Sequence, residues 1–319
     1  MSYLSARFTE ARFAALLFVV LFAVTFIITP TRFSFSNIGT TLGLMTPLIL
    51  AACAATPVIL AGREGIDLSI GPLIGIINVI IVKWLMLDLG IENPVLIISA
   101  ALLAGIAGAL INGLLAVYLR IQPIVATLGT YLILAGLATW ILPSPQGPVP
   151  GWLSALSEGY SILPLLAVAA LWLMIKRLPL HGLIITIGGE DRAAYSAGVD
   201  VNLVRFCSYV ISGVIAAVAA ISLTALLGSA DAQVGPNYTL LAIAAAALGG
   251  VSLAGGKGGM TGAALGAIDI FLLQNLITHF NGSSFFLQIS YGLVLVIAVS
   301  LNSERISQYF SLRKAARNA

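Results

Sequence analysis

The sequence predicts an all-α protein: a polytopic membrane bundle of about ten transmembrane helices with both termini on the cytoplasmic side. Composition, the spacing of apolar runs and the placement of Lys and Arg predict it. Of the 319 residues, 60% are hydrophobic and 8% charged, whereas a soluble domain carries about 25% charged residues. So few charges cannot keep a globular surface wet, and a bilayer removes the conflict because lipid-facing positions tolerate apolar side chains all round. A spanning helix needs roughly 20 apolar residues. The length therefore fits a single membrane domain, residues 1–319, with short connections and no room for a large soluble ATPase or hydrolase domain.

Apolar runs bounded by charge, Pro or Gly define the predicted spans. They are Phe13–Ile28, Leu42–Ala61, Pro72–Leu87, Val95–Val117, Ile124–Leu142, Ser161–Ile175, Phe206–Leu227, Thr239–Leu253, Thr261–His279 and Phe285–Leu301. The first is followed by Thr29-Pro30-Thr31-Arg32 rather than a small-x-small cleavage site, so a retained helix is expected. With the N-terminus inside, thirteen of the fifteen Lys and Arg residues fall on the cytoplasmic side, and only Arg32 and Lys83 fall outside. That bias follows the positive-inside rule. The formal net charge of +3 is too small to indicate a nucleic-acid partner.

The longest polar stretch between spans is the cytoplasmic loop 176–205. Within it Glu190, Asp191, Arg192, Ala193, Ala194, Tyr195, Ser196 and Ala197 read as a short helix. Two acids in its first turn suit the helix dipole, and Gly198 is placed as its stop. The segment 143–160 holds Pro143, Pro145, Pro148 and Pro150, a stiffened external loop suited to docking a partner. A cytoplasmic tail, 302–319, closes the chain.

Two glycine-bearing segments interrupt the apolar pattern. Gly62-Arg63-Glu64-Gly65-Ile66-Asp67-Leu68-Ser69-Ile70-Gly71-Pro72 permits tight backbone near membrane depth, where irregular chain must be buried in protein or face water. Leu248 to Met260 carries Lys257 among glycines but departs from the phosphate-loop pattern: Val251 stands where the first Gly is required, and Gly258 replaces Ser/Thr. It reads as a tight turn between closely packed helices. Small residues at helical spacing, Ala104 through Gly113 and Gly262 through Gly266, read as packing faces.

Polar residues in or beside spans are the candidates for a translocation path or gate: Asp67, Ser69, Asn112, Thr127, Asp269 and Asn275, with Gln274 adjacent. No Ser/His/Asp set or paired acids point to catalysis, and no ligand spacing points to a metal. Cys53 and Cys207 lie far apart in apolar runs and read as small buried side chains.

Three ordered motifs resemble the membrane subunits of bacterial ABC importers for ribose and related monosaccharides, a branch that also serves autoinducer-type sugars. The first is Gly65-Ile66-Asp67-Leu68-Ser69-Ile70-Gly71. The second is Asn112-Gly113-Leu114-Leu115-Ala116 followed by Leu119-Arg120-Ile121-Gln122-Pro123-Ile124-Val125-Ala126-Thr127-Leu128-Gly129-Thr130. The third runs from Gly188-Gly189-Glu190-Asp191-Arg192 through Ala197-Gly198-Val199, Ser212-Gly213 and Gly228-Ser229-Ala230 to Leu248-Gly249-Gly250.

The resemblance implies a permease in the bacterial inner membrane, paired with a second permease subunit. Two cytoplasmic ATPase subunits, which hold ATP and Mg, drive the pair, and a periplasmic or extracellular binding protein feeds it. This chain itself needs no cofactor under that reading. Glu190, Asp191, Arg192, Ala193, Ala194, Tyr195 and Gly198 would form the helix that couples to the ATPase. Arg63-Glu64 departs from the family, which has small residues there and a Gly in place of Glu64. Homodimer and heterodimer both stay open. The alternative is a secondary transporter driven by an ion gradient, for which Asp67 and Asp269 are the available ion-site residues.

Overall fold

The computed structural model describes residues 12–63, 65–280, 285–286, 289–290, 292–293 and 296. Among the described residues twelve helices, with a short 3-10 turn at Pro30–Phe33 between the first two, run in chain order: α1 Arg12–Ile28, α2 Ile38–Leu60, α3 Ile70–Asp88, α4 Pro94–Tyr118, α5 Pro123–Ile141, α6 Gly151–Ser157, α7 Ile162–Arg177, α8 Pro179–Gly189, α9 Asp191–Ser196, α10 Val201–Leu227, α11 Val234–Leu248 and α12 Met260–His279. A lone antiparallel bridge, Gln146 to Ala230, is the nearest thing to a strand among the described residues.

Each of the first nine predicted spans coincides with an apolar helix; among the described residues six or seven spans are long and apolar enough to cross a bilayer, against the ten expected over the whole chain. Six helices (α2, α3, α4, α5, α10 and α12) are long and apolar enough, and a seventh span arises if α6 and α7, bent by 74°, count as one. The Thr239–Leu253 run is cut short because the chain leaves the helix at Gly249 and turns through Gly250 at φ 84°. The Phe285–Leu301 run is described only at separate positions. Both termini and the 302–319 tail lie outside the described residues.

The centre of the bundle is α2 against α10, with α4, α11 and α12 around them and α3 between α5 and α10. Burial separates two kinds of helix: α2 is 89% buried over its span, whereas α4 and α5 are 22% buried each. The latter two therefore present apolar surface to lipid or to another protein. Pro47 and Pro57 sit inside α2. The residue before each, Thr46 and Thr56, bonds back to the Leu42 and Ala52 carbonyls at 2.7 and 2.8 Å. Such hydroxyls help a proline-bearing helix survive away from water.

Small residues decide how closely the helices approach. A Cβ on Gly105 of α4 would strike the Gly213 carbonyl of α10, and a Cβ on Gly213 would strike that of Gly105. Backbones thus touch where α4 and α10 cross, the geometry expected of small-residue interfaces. Gly262 and Gly266 of α12 fit in the same way against Gly249 and Ala245.

The connections gather at two ends. At one, Trp152 donates from Nε1 to the Glu92 carbonyl at 3.0 Å, and Gln146 and Ala230 exchange backbone bonds at 3.1 and 2.7 Å. The proline-rich loop is therefore pinned down, and it contains the helix α6 that its composition concealed. At the other end the 62–65 turn, the close of α8 and the 249–259 turn converge: Gly256 donates to the Leu60 carbonyl at 3.0 Å, and Gly188 abuts Leu60 with no room for a Cβ.

Candidate functional site

Four of the predicted polar residues assemble into one buried network where α3 begins. The chain leaves α2 through Gly62 and Arg63, both at positive φ (72° and 53°), and Gly65 to Ser69 is irregular. Asp67 is 5% exposed, and its Oδ1 accepts from the Ser69 amide at 2.9 Å and the Ser69 hydroxyl at 2.7 Å. Asn112, on α4, donates to Ser69 Oγ at 2.6 Å and reaches both Asp67 oxygens at 3.4 Å. Its own oxygen accepts from Thr130 of α5 at 2.7 Å.

Thr127 completes the other side. Its Oγ1 accepts from the Leu68 amide at 3.1 Å and lies 2.8 Å from the Pro123 carbonyl. Thr239 of α11 donates to the Leu68 carbonyl at 3.0 Å. Backbone N–H and C=O groups of this irregular segment are thereby satisfied from α5 and α11, while Asn112 of α4 holds its side chains, as a water-poor setting demands.

Asp269 and Asn275 stand apart from this network. Asp269 lies on α12, 1% exposed, beside a cavity of ≈ 190 Å³ whose lining includes Phe13, Leu17 and Leu21 of α1. Neither of its carboxylate oxygens, nor Asn275 Nδ2, has a hydrogen-bond partner among the described residues.

The predicted loop helix is present but shorter at its start. Glu190 is an extended cap (φ −152°, ψ 91°), so only Asp191 occupies the first turn, and the helix is Asp191–Ser196. Glu190 leaves the helix because α8 ends immediately before it: the Glu190 amide still bonds back to Thr186 at 3.1 Å. Gly198, at φ 84°, closes α9 as expected. Two contacts hold α9 to the bundle. Ala194 is 3% exposed, and Asp191 Oδ2 accepts from Arg205 Nη2 of α10 at 3.0 Å. The hydrogen bond from Arg205, and its charge, hold the Asp191 carboxyl below the usual carboxylate range; partial burial opposes this and Arg63 adds to it. Glu190, Arg192, Ala193, Tyr195 and Gly198 are exposed, Tyr195 by 75%.

The sequence reading missed Thr130 and Thr239, and it missed the convergence of Arg63, Arg120 and Arg205. No local pattern distinguishes a threonine that bonds only to its own helix from one that crosses to another. Beside α9, Arg63, Arg120, Asp191, Tyr195 and Arg205 line an open cleft of ≈ 1180 Å³.

A bundle with short connections, and with six or seven span-capable helices among the described residues, is that of a multi-pass membrane protein. The family model for the permease component of branched-chain amino acid transport systems matches residues 37–300. The ribose import permease of Haemophilus influenzae is 30% identical over 92% of this chain and 93% of its own length. An autoinducer 2 import permease of Enterobacter sp. strain 638 is 34% identical over 89% of this chain and 83% of its own. The galactose/methyl galactoside import permease of Escherichia coli K12 is 29% identical over 89% and 91%. No solved structure matches significantly. The chain belongs to this family of bacterial import permeases, in the ribose-type ABC branch that its motifs resemble.

Proposed function

We propose that the chain is the membrane-spanning subunit of an ATP-driven importer, moving a sugar or sugar-like solute across the bacterial inner membrane. The observation that carries the reading is α9: six residues, mostly exposed, held to the bundle at Asp191 and Ala194. It stands at the end that gathers Arg63, Arg120, Arg192 and Arg205, the cytoplasmic end by the positive-inside rule. A separate ATPase would grip α9 through Glu190, Arg192, Ala193, Tyr195 and Gly198. Its nucleotide-driven motion would shift the permease between inward- and outward-open states. The three relatives named for ribose, autoinducer 2 and galactosides support a sugar-like solute.

The exposed apolar faces of α4 and α5 suit lipid and a second permease subunit, and the pinned proline-rich end suits an external binding protein. Asp67, Ser69, Asn112 and Thr127 then act at the gate by fixing the irregular entry to α3 rather than by touching solute.

Uptake in membrane vesicles tests the reading. Transport that stops when ATP hydrolysis is blocked, yet ignores collapse of the proton and sodium gradients, supports it. The reverse outcome would return the chain to an ion-gradient transporter, for which the unpaired Asp269 carboxylate is the available site. Competition by monosaccharides against branched-chain amino acids separates the two solute classes that the family model and the relatives name.

A further inference from the structure

Deeper than the open cleft, a cavity of ≈ 450 Å³ lies between the end of α2, the end of α4, the start of α5 and the start of α10. Among the described residues its lining carries three cationic side chains, Arg63, Arg120 and Arg205, and no carboxylate. Arg63, Arg120, Asn202 and Arg205 line both spaces, so the cleft is its access route. Arg63 thus places a charge at the mouth of this cavity.

Two buried groups in the lining are unsatisfied. Tyr209 is 4% exposed and its hydroxyl has no partner. Arg205 is 8% exposed; Nη2 is spent on Asp191, while Nε has no partner. Leaving a buried donor unpaired is costly, more so when it is charged. Both groups donate. An arginine fork has no acceptor to offer, so an acceptor-rich group would satisfy Arg205 Nε and the Tyr209 hydroxyl together, and a negative charge on it would suit the arginines around it. Arg63 and Arg120, neither in an ion pair among the described residues, hold φ values of 53° and 57°. A non-glycine residue pays for that conformation, and such strain gathers at functional sites.

We propose that this cavity binds a phosphate-bearing anion through the guanidinium groups of Arg63, Arg120 and Arg205 and the hydroxyl of Tyr209. Phosphate fits better than a lone carboxylate: it offers more acceptor oxygens to the donors that line the cavity, and its double charge answers Arg63 and Arg120, which have no ion pair among the described residues. The volume is that of a small-molecule site. A soluble phosphorylated metabolite would enter by the cleft. An anionic lipid headgroup would enter past Tyr118, Leu119 and Ile121, exposed apolar residues that flank Arg120. Either ligand would tie α2, α4 and α10 together at one end and favour that arrangement over any in which they separate.

The test is calorimetric titration of the full-length protein in phosphatidylcholine nanodiscs, with inorganic phosphate and ribose 5-phosphate as probes and ribose as the neutral control. It needs neither ATPase nor transport, so its outcome is separate from the importer reading. Saturable binding of a phosphate probe but not ribose, weakened about tenfold or more in Arg63→Gln, Arg120→Gln and Tyr209→Phe, is the expected result. Arg63 and Arg120 are exposed, so those two variants leave the fold intact. If the free anions do not bind, phosphatidylglycerol retained by wild type and lost from Arg120→Gln in native mass spectrometry supports the proposal with lipid as the source. No binding of either kind, or binding indifferent to all three substitutions, overturns it. So does an Arg120→Gln effect confined to retention of a co-purifying ATPase, which would assign the arginines to that partner.

Discussion

Asn112 and Ser69 stand 43 residues apart in the chain and 2.6 Å apart in space, amide to hydroxyl. That bond ties the end of α4 to the irregular segment before α3, and the same Asn112 amide also reaches Asp67 and accepts from Thr130 of α5. Removing the amide with Asn112→Ala leaves buried polar atoms stranded on both sides. A loss of about 2–4 kcal/mol in thermal unfolding of the detergent-solubilised protein is expected. Thr130→Val should cost about half as much, since it strands only the Asn112 oxygen. If both variants melt with wild type, the network is not what holds the segment.

Asp67 separates brace from solute path. Asp67→Asn keeps an acceptor for Ser69 and should retain most uptake, whereas Asp67→Ala should lower stability and uptake together. Uptake is read in vesicles and melting on the same preparations. Full-rate uptake with both variants would remove Asp67 from the gate and leave it a purely structural residue.

Where α4 and α10 touch through Gly105 and Gly213, a side chain must push two backbones apart. Gly213→Leu is expected to cost at least about 3 kcal/mol and to appear as lost membrane yield. Gly129→Leu, at a position with nothing within 4 Å, serves as the matched control and should be nearly silent.

The Asp191–Arg205 pair gives a prediction with a sign. The folded-state pKa of Asp191 is lowered, so the pair contributes stability that is fully present above the unfolded value, about 3.9. That contribution is lost as pH falls through the lower folded value. Protection of the 190–198 segment from hydrogen exchange should therefore be flat from neutral pH to about 5 and fall in acid. Asp191→Asn should weaken docking of α9 by about 1 kcal/mol at neutral pH, solvent screening of the partly exposed pair included. Uptake should suffer more than membrane insertion. A protection profile in Asp191→Asn that matches wild type at neutral pH would show that the pair does not anchor α9.

Sidedness is checked by labelling. With Cys53 buried and Cys207 replaced by Ala, Tyr195→Cys should react with an impermeant maleimide only in inside-out vesicles. Ser144→Cys should react only in right-side-out ones. Identical labelling from both sides would contradict two ends facing two compartments.

The helices were legible because twenty-residue apolar runs are the strongest signal a sequence carries, and the crossing at Gly105 followed from small residues at helical spacing. What stayed hidden was short or depended on partners far along the chain. Leu178 to Gly189 is apolar enough to fold as α8, yet Lys176-Arg177 on one side and Glu190-Asp191-Arg192 on the other made the whole stretch read as polar loop. Asp67, Ser69, Asn112 and Thr127 were visible because polar residues at membrane depth are rare. Their union was not visible, since only tertiary packing brings α4 and α5 to the start of α3. Asp269 and Asn275 looked the same in sequence and lie elsewhere in the bundle. The meeting of Arg63, Arg120 and Arg205 was equally unreadable from three segments far apart in the chain.

Gly188 and Leu60 meet main chain to main chain, with Gly256 clasping the same Leu60 carbonyl. Side chains act as springs: they change rotamer and absorb part of any displacement. A joint with none has no slack. Under the proposed coupling, a push on α9 would pass through the end of α8 to α2, the helix on which the bundle is centred, with no side chain between to absorb it. A methyl group added at Gly188 would not soften that linkage but wedge it open, turning a stiff lever into a broken one.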